Sequence, residues 1–264
     1  MKSSPIWMAY GFLVSVIMLL VSLSAAAGQL VRVGAAHFPP YTIRPEQGAD
    51  TGILPQLIES LNRAQSDFQF VLVPTSIPRR FRDFEQSRID MAIFENPQWG
   101  WQDIPHGTVD MGLEDAEVFV AQRMDGRQQP YFDDLRDKRL ALFSGYHYAF
   151  ADFNPDPRYL ANHYNATLTY SHDSNLLMVL RGRADMALIT RSYLSDYLVR
   201  NPGIAGQLLI SVRTDQVYHH YALIRPNAAI SPAEFARMLA HLRELGELKR
   251  IFRPYRIDVL PVTP

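Results

Sequence analysis

A chain of 264 residues that is 47% hydrophobic and 20% charged, with a formal net charge of −1, has apolar material for one large domain or two small ones. That charge offers no global field toward nucleic acid or an anionic membrane. The absence of cysteine excludes disulfides, thiol catalysis, Cys-type zinc sites and a lipid-attached N-terminal cysteine.

At the N-terminus, Lys2 is the only charge before Arg32. GFLVSVIMLLVSL (11–23) is followed by SAAAG, with Ala25 and Ala27 as an A-x-A pair, so 1–27 is patterned as a secretory signal peptide. The alternative is an N-terminal membrane anchor, because Ile6 to Ala27 is uncharged and long enough to cross a bilayer. Export without disulfides suits the periplasm.

LVRVGAA (30–36) alternates and is rich in β-formers, which predicts a strand. FPPY follows, and its two prolines end any ladder. GILPQLIESLNRA (52–64) places Leu54, Leu57, Ile58 and Leu61 on one helical face. FQFVLVP (68–74) is the next strand, PRRFRDFEQSR (78–88) a helix opened by proline, and IDMAIF (89–94) a strand covered on both faces. This β-α-β-α-β alternation argues for an α/β layer with a parallel sheet. It then recurs. EVFVAQ (117–122), RLALF (139–143) and TLTYS (167–171) read as strands. DSNLLMVLRGR (173–183) reads as a helix with Asp173 or Ser174 as N-cap. ADMALI (184–189) is a strand, SYLSDYLVRN (192–201) a helix and VYHHYALI (217–224) a strand. SPAE (231–234) opens the last helix with a capping box, Ser231 to Glu234, and proline at its first position.

IDMAIF and ADMALI echo each other about 95 residues apart, too far for a solenoid repeat but suited to two similar α/β lobes. In each, an Asp opens a buried strand, and the loop beyond the strand's far end is where open α/β sheets place ligands.

The ordered series VGAAHFPPYTI, RIDMAIFENP, LRDKRLALFSGYHYA, LLMVLRGRADMALITRSYL and the final YALIRP-helix resembles the extracellular solute-binding proteins of family 3, the periplasmic components of polar amino-acid ABC transporters. The resemblance covers roughly 30 to 255. It implies an α/β, two-lobed periplasmic-binding-protein type II fold with two hinge crossings, near 118–124 and 219–226. Lobe 1 would comprise 28–119 and 224–264, and lobe 2 would be 124–218. A small-molecule ligand would be clamped between them for an ABC permease or a membrane sensor, by a monomer that uses no cofactor and no nucleic acid.

The cleft should then collect Phe38 and Tyr41 of FPPY, Glu95, Asn96, Trp99 and Trp101 of FENPQWGW, Tyr146, His147 and Tyr148 of SGYHY, and Thr190. Both indoles are expected at its mouth, where a flat ligand would stack with little loss of rotamer freedom. Amino-acid binders of this family carry an arginine after the fourth strand for the ligand carboxylate and an aspartate after the last lobe-2 strand for the ammonium. Here NPQWGWQD has no arginine and ADMALI runs into Thr190, so a standard α-amino acid is a poor fit. Counting back from IDMAIF, Arg79 matches an arginine that a subset of similar proteins carries. The alternative is that Arg79, Arg80 and Arg82 form a solvated helix face with Asp83 and Glu85. His219 and His220 alternate on a strand and face opposite sides, so they do not chelate one metal together, and no metal is expected. The enzymatic alternative is a dehydratase acting on a cyclohexadienyl acid, with Glu95 or His147 as general acid.

Overall fold

The computed structural model describes residues 28–48 and 51–261; the signal-peptide or anchor segment 1–27 lies outside them. One curved sheet runs through the molecule. Its first third is β1 (Gln29–Ala35), β2 (Phe68–Pro74) and β3 (Met91–Glu95). The three are parallel in the order β2-β1-β3. Helix α1 (Ile53–Ala64) packs on this layer through Leu54, Leu57, Ile58 and Leu61, all buried as the helical spacing requires. α2 is Arg80–Glu85. It is shorter than the expected 78–88, because Pro78 sits in the turn before it and Ser87 turns left-handed just after it.

Two long strands follow from the next segments, β4 (Gly107–Gln122) and β8 (Leu208–Ile224), paired antiparallel. Between them in sequence come β5 (Leu140–Phe143), α3 (Pro157–Tyr164), β6 (Ala166–Thr169), α4 (His172–Leu180), β7 (Met186–Thr190), α5 (Arg191–Arg200) and α6 (Pro202–Ala205). The chain ends with α7 (Pro232–Glu244), α8 (Glu247–Phe252) and β9 (Asp258–Val259), which pairs with β4. β7-β5-β6 form a second parallel trio, and the sheet reads β2-β1-β3-β8-β4-β7-β5-β6. Each end is therefore a small α/β lobe, with the β4–β8 ribbon in the middle.

The apolar residues divide accordingly. Val31, Val33, Leu57, Met91, Leu113, Phe235 and Phe252 belong to one core. Val118 and Val120 face a second core with Leu176 and Ile189, while their neighbours Phe119 and Ala121 face a third with Phe132 and Leu142. That alternation is the period of a strand buried on both sides. Because Val118 to Ala121 already pack in the second lobe, the change of lobe along β4 falls between Leu113 and Val118, ahead of the expected 118–124.

The IDMAIF/ADMALI echo has a structural meaning. Asp90 Oδ2 accepts from Arg32 N and Nε (2.9 and 2.8 Å), and Asp90 Oδ1 accepts from Arg32 Nη2 and Arg225 Nη2 (2.8 and 2.9 Å). Asp185 repeats the arrangement with Arg139 N, Nε and Nη2 (2.8, 3.0 and 3.0 Å). Each Asp thus ties the start of one strand to its parallel neighbour by a two-pronged charged bond.

Of two helix starts, one follows the expectation and one departs from it. Ser231 and Glu234 form the expected capping box on α7. α4 is capped by Ser171, which accepts from Ser174 N, and not by Asp173 or Ser174. Asp173 instead accepts the Tyr193 hydroxyl (2.7 Å).

Candidate functional site

β1, β3, β5 and β7 all end toward the gap between the lobes, so the loops after them converge there. The end of β3 is shaped by a bulge: pairing with β8 shifts register between Ile93 and Glu95, and Phe94 between them has φ 65°. A bulge re-aims the following side chain, and Glu95 turns inward.

The gap has two parts. An open cleft of about 1950 Å³ is walled by Pro74 to Phe81 on one side and by Phe143 to Gly145 and the start of α4 on the other. Behind it lies a chamber of about 50 Å³. Ile77, Arg80, Gly145 and His147 line both, and so form the partition. Gly145 is needed there: a Cβ would stand 2.8 Å from Ile77 Cγ2 of the opposite lobe, and φ is +85°.

The chamber's apolar walls are Phe38, Phe94, Trp99, Tyr146 and Tyr218. Phe38 meets Tyr146 across the gap edge-on at 5.4 Å, and Trp99 meets Tyr218 at 5.0 Å. Arg80 and Glu95 form a nearly buried ion pair, Nε to Oε1 2.6 Å. Arg80 Nη1 also donates to the Ile77 carbonyl, and Glu95 Oε2 accepts from the Trp101 indole (2.9 Å).

Opposite stands Glu117, buried on β4. Its Oε1 accepts from Thr190 Oγ1 (2.8 Å) and Tyr218 Oη (3.2 Å), while Oε2 has no partner among the described residues. Since Thr190 donates to Glu117, His172 Nε2 at 3.2 Å must be the donor to Thr190 Oγ1. That fixes the tautomer and leaves Nδ1 as a bare, unpartnered acceptor. Burial pushes the Glu117 carboxyl well above the ordinary range, with nearby Asp115 and Asp215 adding to the rise. Burial holds His172 down to about 3; burial, with Arg80 beside it, holds His147 down to about 4. Both imidazoles are neutral at neutral pH.

Asp115 makes a clasp where the lobes meet. Its Oδ2 accepts from Tyr41 Oη of the first lobe (2.7 Å) and from Ser192 Oγ of the second (2.5 Å), and its Oδ1 accepts from Ser192 N (3.2 Å). Burial raises the Asp115 carboxyl despite these bonds. A carboxyl whose folded pKa is raised supports folding fully below its unfolded pKa, near 4, and withdraws that support as pH rises through the folded value. The ligand-free protein is therefore expected to lose stability as pH rises above about 4, and Asp115→Asn to flatten the loss. Denaturant midpoints against pH measure this; parallel slopes for the two proteins would refute it.

The structure brings Phe38, Glu95, Trp99, Tyr146 and His147 together at the chamber. Tyr41 and Thr190 lie one layer behind, on Asp115 and Glu117. Four of the expected residues are elsewhere. Trp101 is fully buried in the first lobe against Phe81 and Phe84, not at the cleft mouth, because its indole N–H is taken by Glu95. Tyr148 is sealed in the second-lobe core, its hydroxyl accepting from Phe143 N (2.8 Å). Asn96 donates to the His219 carbonyl outside the chamber. Arg79 is exposed on the cleft rim, paired with Asp83; the inward arginine is Arg80, which a helical turn swings to the other side. His220 is wholly buried and His219 faces solvent beside Asp110. Among the described residues no three His, Asp or Glu groups come together as a metal-ligand set. Glu117, Tyr218, Gln216 and His172 were not legible as site residues. The one available signal was a pair of acidic residues, Asp115 and Glu117, inside an otherwise β-forming stretch.

Two α/β lobes joined by a two-stranded ribbon, with a cleft at their facing strand ends, define a substrate-binding protein of the two-lobed periplasmic type. The chain belongs to the family of phosphonate periplasmic substrate-binding proteins of ABC transporters, whose model matches residues 110–260. It is an ABC-type substrate-binding protein, and the family's place is outside the cytoplasmic membrane. No helix of the described residues is long and apolar enough to cross a membrane. No curated protein matches the chain. Among solved structures it is similar to Tv2483 bound to L-arginine (18% identity, 86% of this chain and 90% of the other, TM-score 0.67). It is also similar to an ABC uptake transporter substrate-binding protein from Streptococcus pneumoniae with bound histidine (16%, 88% and 95%, 0.68). A histidine kinase sensor domain gives 18% identity over 90% of this chain and 100% of the other, TM-score 0.65. At these identities the likeness is one of fold.

Proposed function

We propose that this protein captures a small organic ligand in the chamber behind the cleft, with Phe38, Glu95 and Trp99 of the first lobe and Tyr146, His147 and Glu117 of the second closing around it. The observation that carries this is the chamber itself: both lobes supply its walls, and its buried Tyr146 hydroxyl and Glu117 Oε2 are left without partners. Buried polar atoms in a folded protein are nearly always satisfied, so two orphans facing one space indicate an occupant. On this reading the lobes are 28–113 with 220–261 and 118–218, hinged on β4 and β8, and the protein works as a monomer with an ABC permease or a membrane sensor. Residues 1–27 direct export, as a cleaved signal or as an anchor. The finer placement in family 3 rests on the ordered motifs alone.

Trp99 faces the chamber and Trp101 does not, so ligand binding is expected to change Trp99 emission only. A Trp101→Phe variant should keep the response and a Trp99→Phe variant lose it. The reverse result would place the ligand elsewhere. A second reading, a lyase on a cyclohexadienyl acid, is favoured by one feature: Glu117, a carboxyl that burial pushes well above the ordinary range, stands inside an aromatic chamber. Consumption of a bound acid, followed by product analysis, separates it from capture without turnover.

A further inference from the structure

The balance of charge inside the chamber points to a ligand class, and this step rests on the capture reading above. Arg80 is neutralised by Glu95 at 2.6 Å and its guanidinium lies over Phe81, 4.2 Å from the ring centroid. His147 is neutral. The ionisable group left without a counter-charge among those lining the chamber is an acid, Glu117, which is 2% exposed and has one oxygen free. Around it stand Trp99, Phe38 and Tyr218, and aromatic rings attract cations through their negative faces.

Three backbone donors of the second lobe are held by the protein's own acids. Ser192 N, in the first turn of α5, donates to Asp115 (3.2 Å), so that helix start holds the protein's own carboxylate. The Ala149 and Phe150 amides both donate to Asp215 (2.8 and 2.9 Å). A phosphonate or carboxylate head would meet an acid and no free cation in the chamber.

We propose that the chamber takes the ammonium head of an organic cation, with Glu117 Oε2 and the Tyr146 hydroxyl oxygen accepting its N–H bonds and Trp99, Phe38 and Tyr218 enclosing it. The size agrees. A water needs roughly 10–15 Å³ of such space, so about 50 Å³ holds a head group of a few heavy atoms and not a whole metabolite. The rest of the ligand leaves past His147 and Arg80 into the open cleft. Burial favours the protonated Glu117 carboxyl. An arriving cation favours the ionised form, so binding releases that proton to solvent.

Calorimetric titration of the purified protein tests this with four probes of similar size: propylammonium, 1-butanol, propionate and methylphosphonate. Propylammonium is expected to bind at least tenfold more tightly than butanol. Glu117→Gln, close in shape to the protonated acid and so able to keep the Thr190 and Tyr218 bonds, should weaken propylammonium at least tenfold and change butanol less than twofold. Trp99→Ala should weaken propylammonium as well. Tighter binding of propionate or methylphosphonate than of propylammonium would overturn the cation assignment and leave ligand capture standing. Propylammonium affinity unmoved by both substitutions would overturn the placement in the chamber. Failure of all four probes, together with a Trp99 emission that no compound perturbs, would overturn both.

Discussion

Arg80→Ala is expected to cost about 3–5 kcal/mol, the usual penalty for leaving one partner of a buried ion pair alone. Glu95 would keep only the Trp101 indole as a partner, in a place where its side chain is 12% exposed. Arg80 also stacks on Phe81 and faces Trp101 at 5.7 Å, so truncation opens space in the same cluster. For a chain of this size the thermal midpoint should drop by about 10 °C. The double variant Arg80→Met with Glu95→Gln should recover most of the loss, because it removes both charges and keeps the volume. A single variant that melts within about 2 °C of the parent would show that the pair is solvated and carries little. Ligand binding should suffer in the single variant beyond the loss of stability, since Arg80 is part of the partition between chamber and cleft.

Asp90→Ala should be comparably severe, about 3 kcal/mol or more, because the carboxylate is buried and is shared by Arg32 and Arg225. Its loss would untie β1, the start of β3 and the end of β8 together. The matching change Asp185→Ala removes the same geometry from the second lobe at a site open to solvent, where Arg139 is 49% exposed. Water takes over much of what the carboxylate supplied, so the cost there should be clearly smaller. Denaturant unfolding of the two variants compares them directly. Equal losses would mean that burial is not what distinguishes the two ties.

The strands and helices of both lobes were largely legible, because their apolar spacing reflects the faces they bury. Leu54, Leu57, Ile58 and Leu61 are one such face; the Ser231 and Glu234 box is a local signal that formed as read. The long strands β4 and β8 were seen only in their apolar halves. Their remaining stretches carry Asp110, Glu114 and Asp115 on one and Arg213, Thr214, Asp215 and Gln216 on the other. Charged strand residues read as loop when their partners are remote in sequence. The partners of Asp115 are Tyr41 and Ser192, 74 and 77 residues away. Helix α3 was missed for a related reason: its single buried residue is Leu160, which leaves little periodicity to find.

Composition and pattern alone determined that this is an α/β chain of two similar halves, without cysteine chemistry, whose strand-end loops are rich in aromatics. Such features follow from local propensity and from which faces must leave water, and both are written along the chain. Tertiary structure alone decided which aromatics face the gap, with Trp99 at the chamber and Trp101 in the core, and which arginine turns inward. It also decided that the acid left with an unpartnered oxygen in the chamber is Glu117. Those outcomes depend on which distant groups meet in a space without water, where an unpaired charge or hydrogen-bonding atom is expensive and its partner can lie anywhere in the sequence.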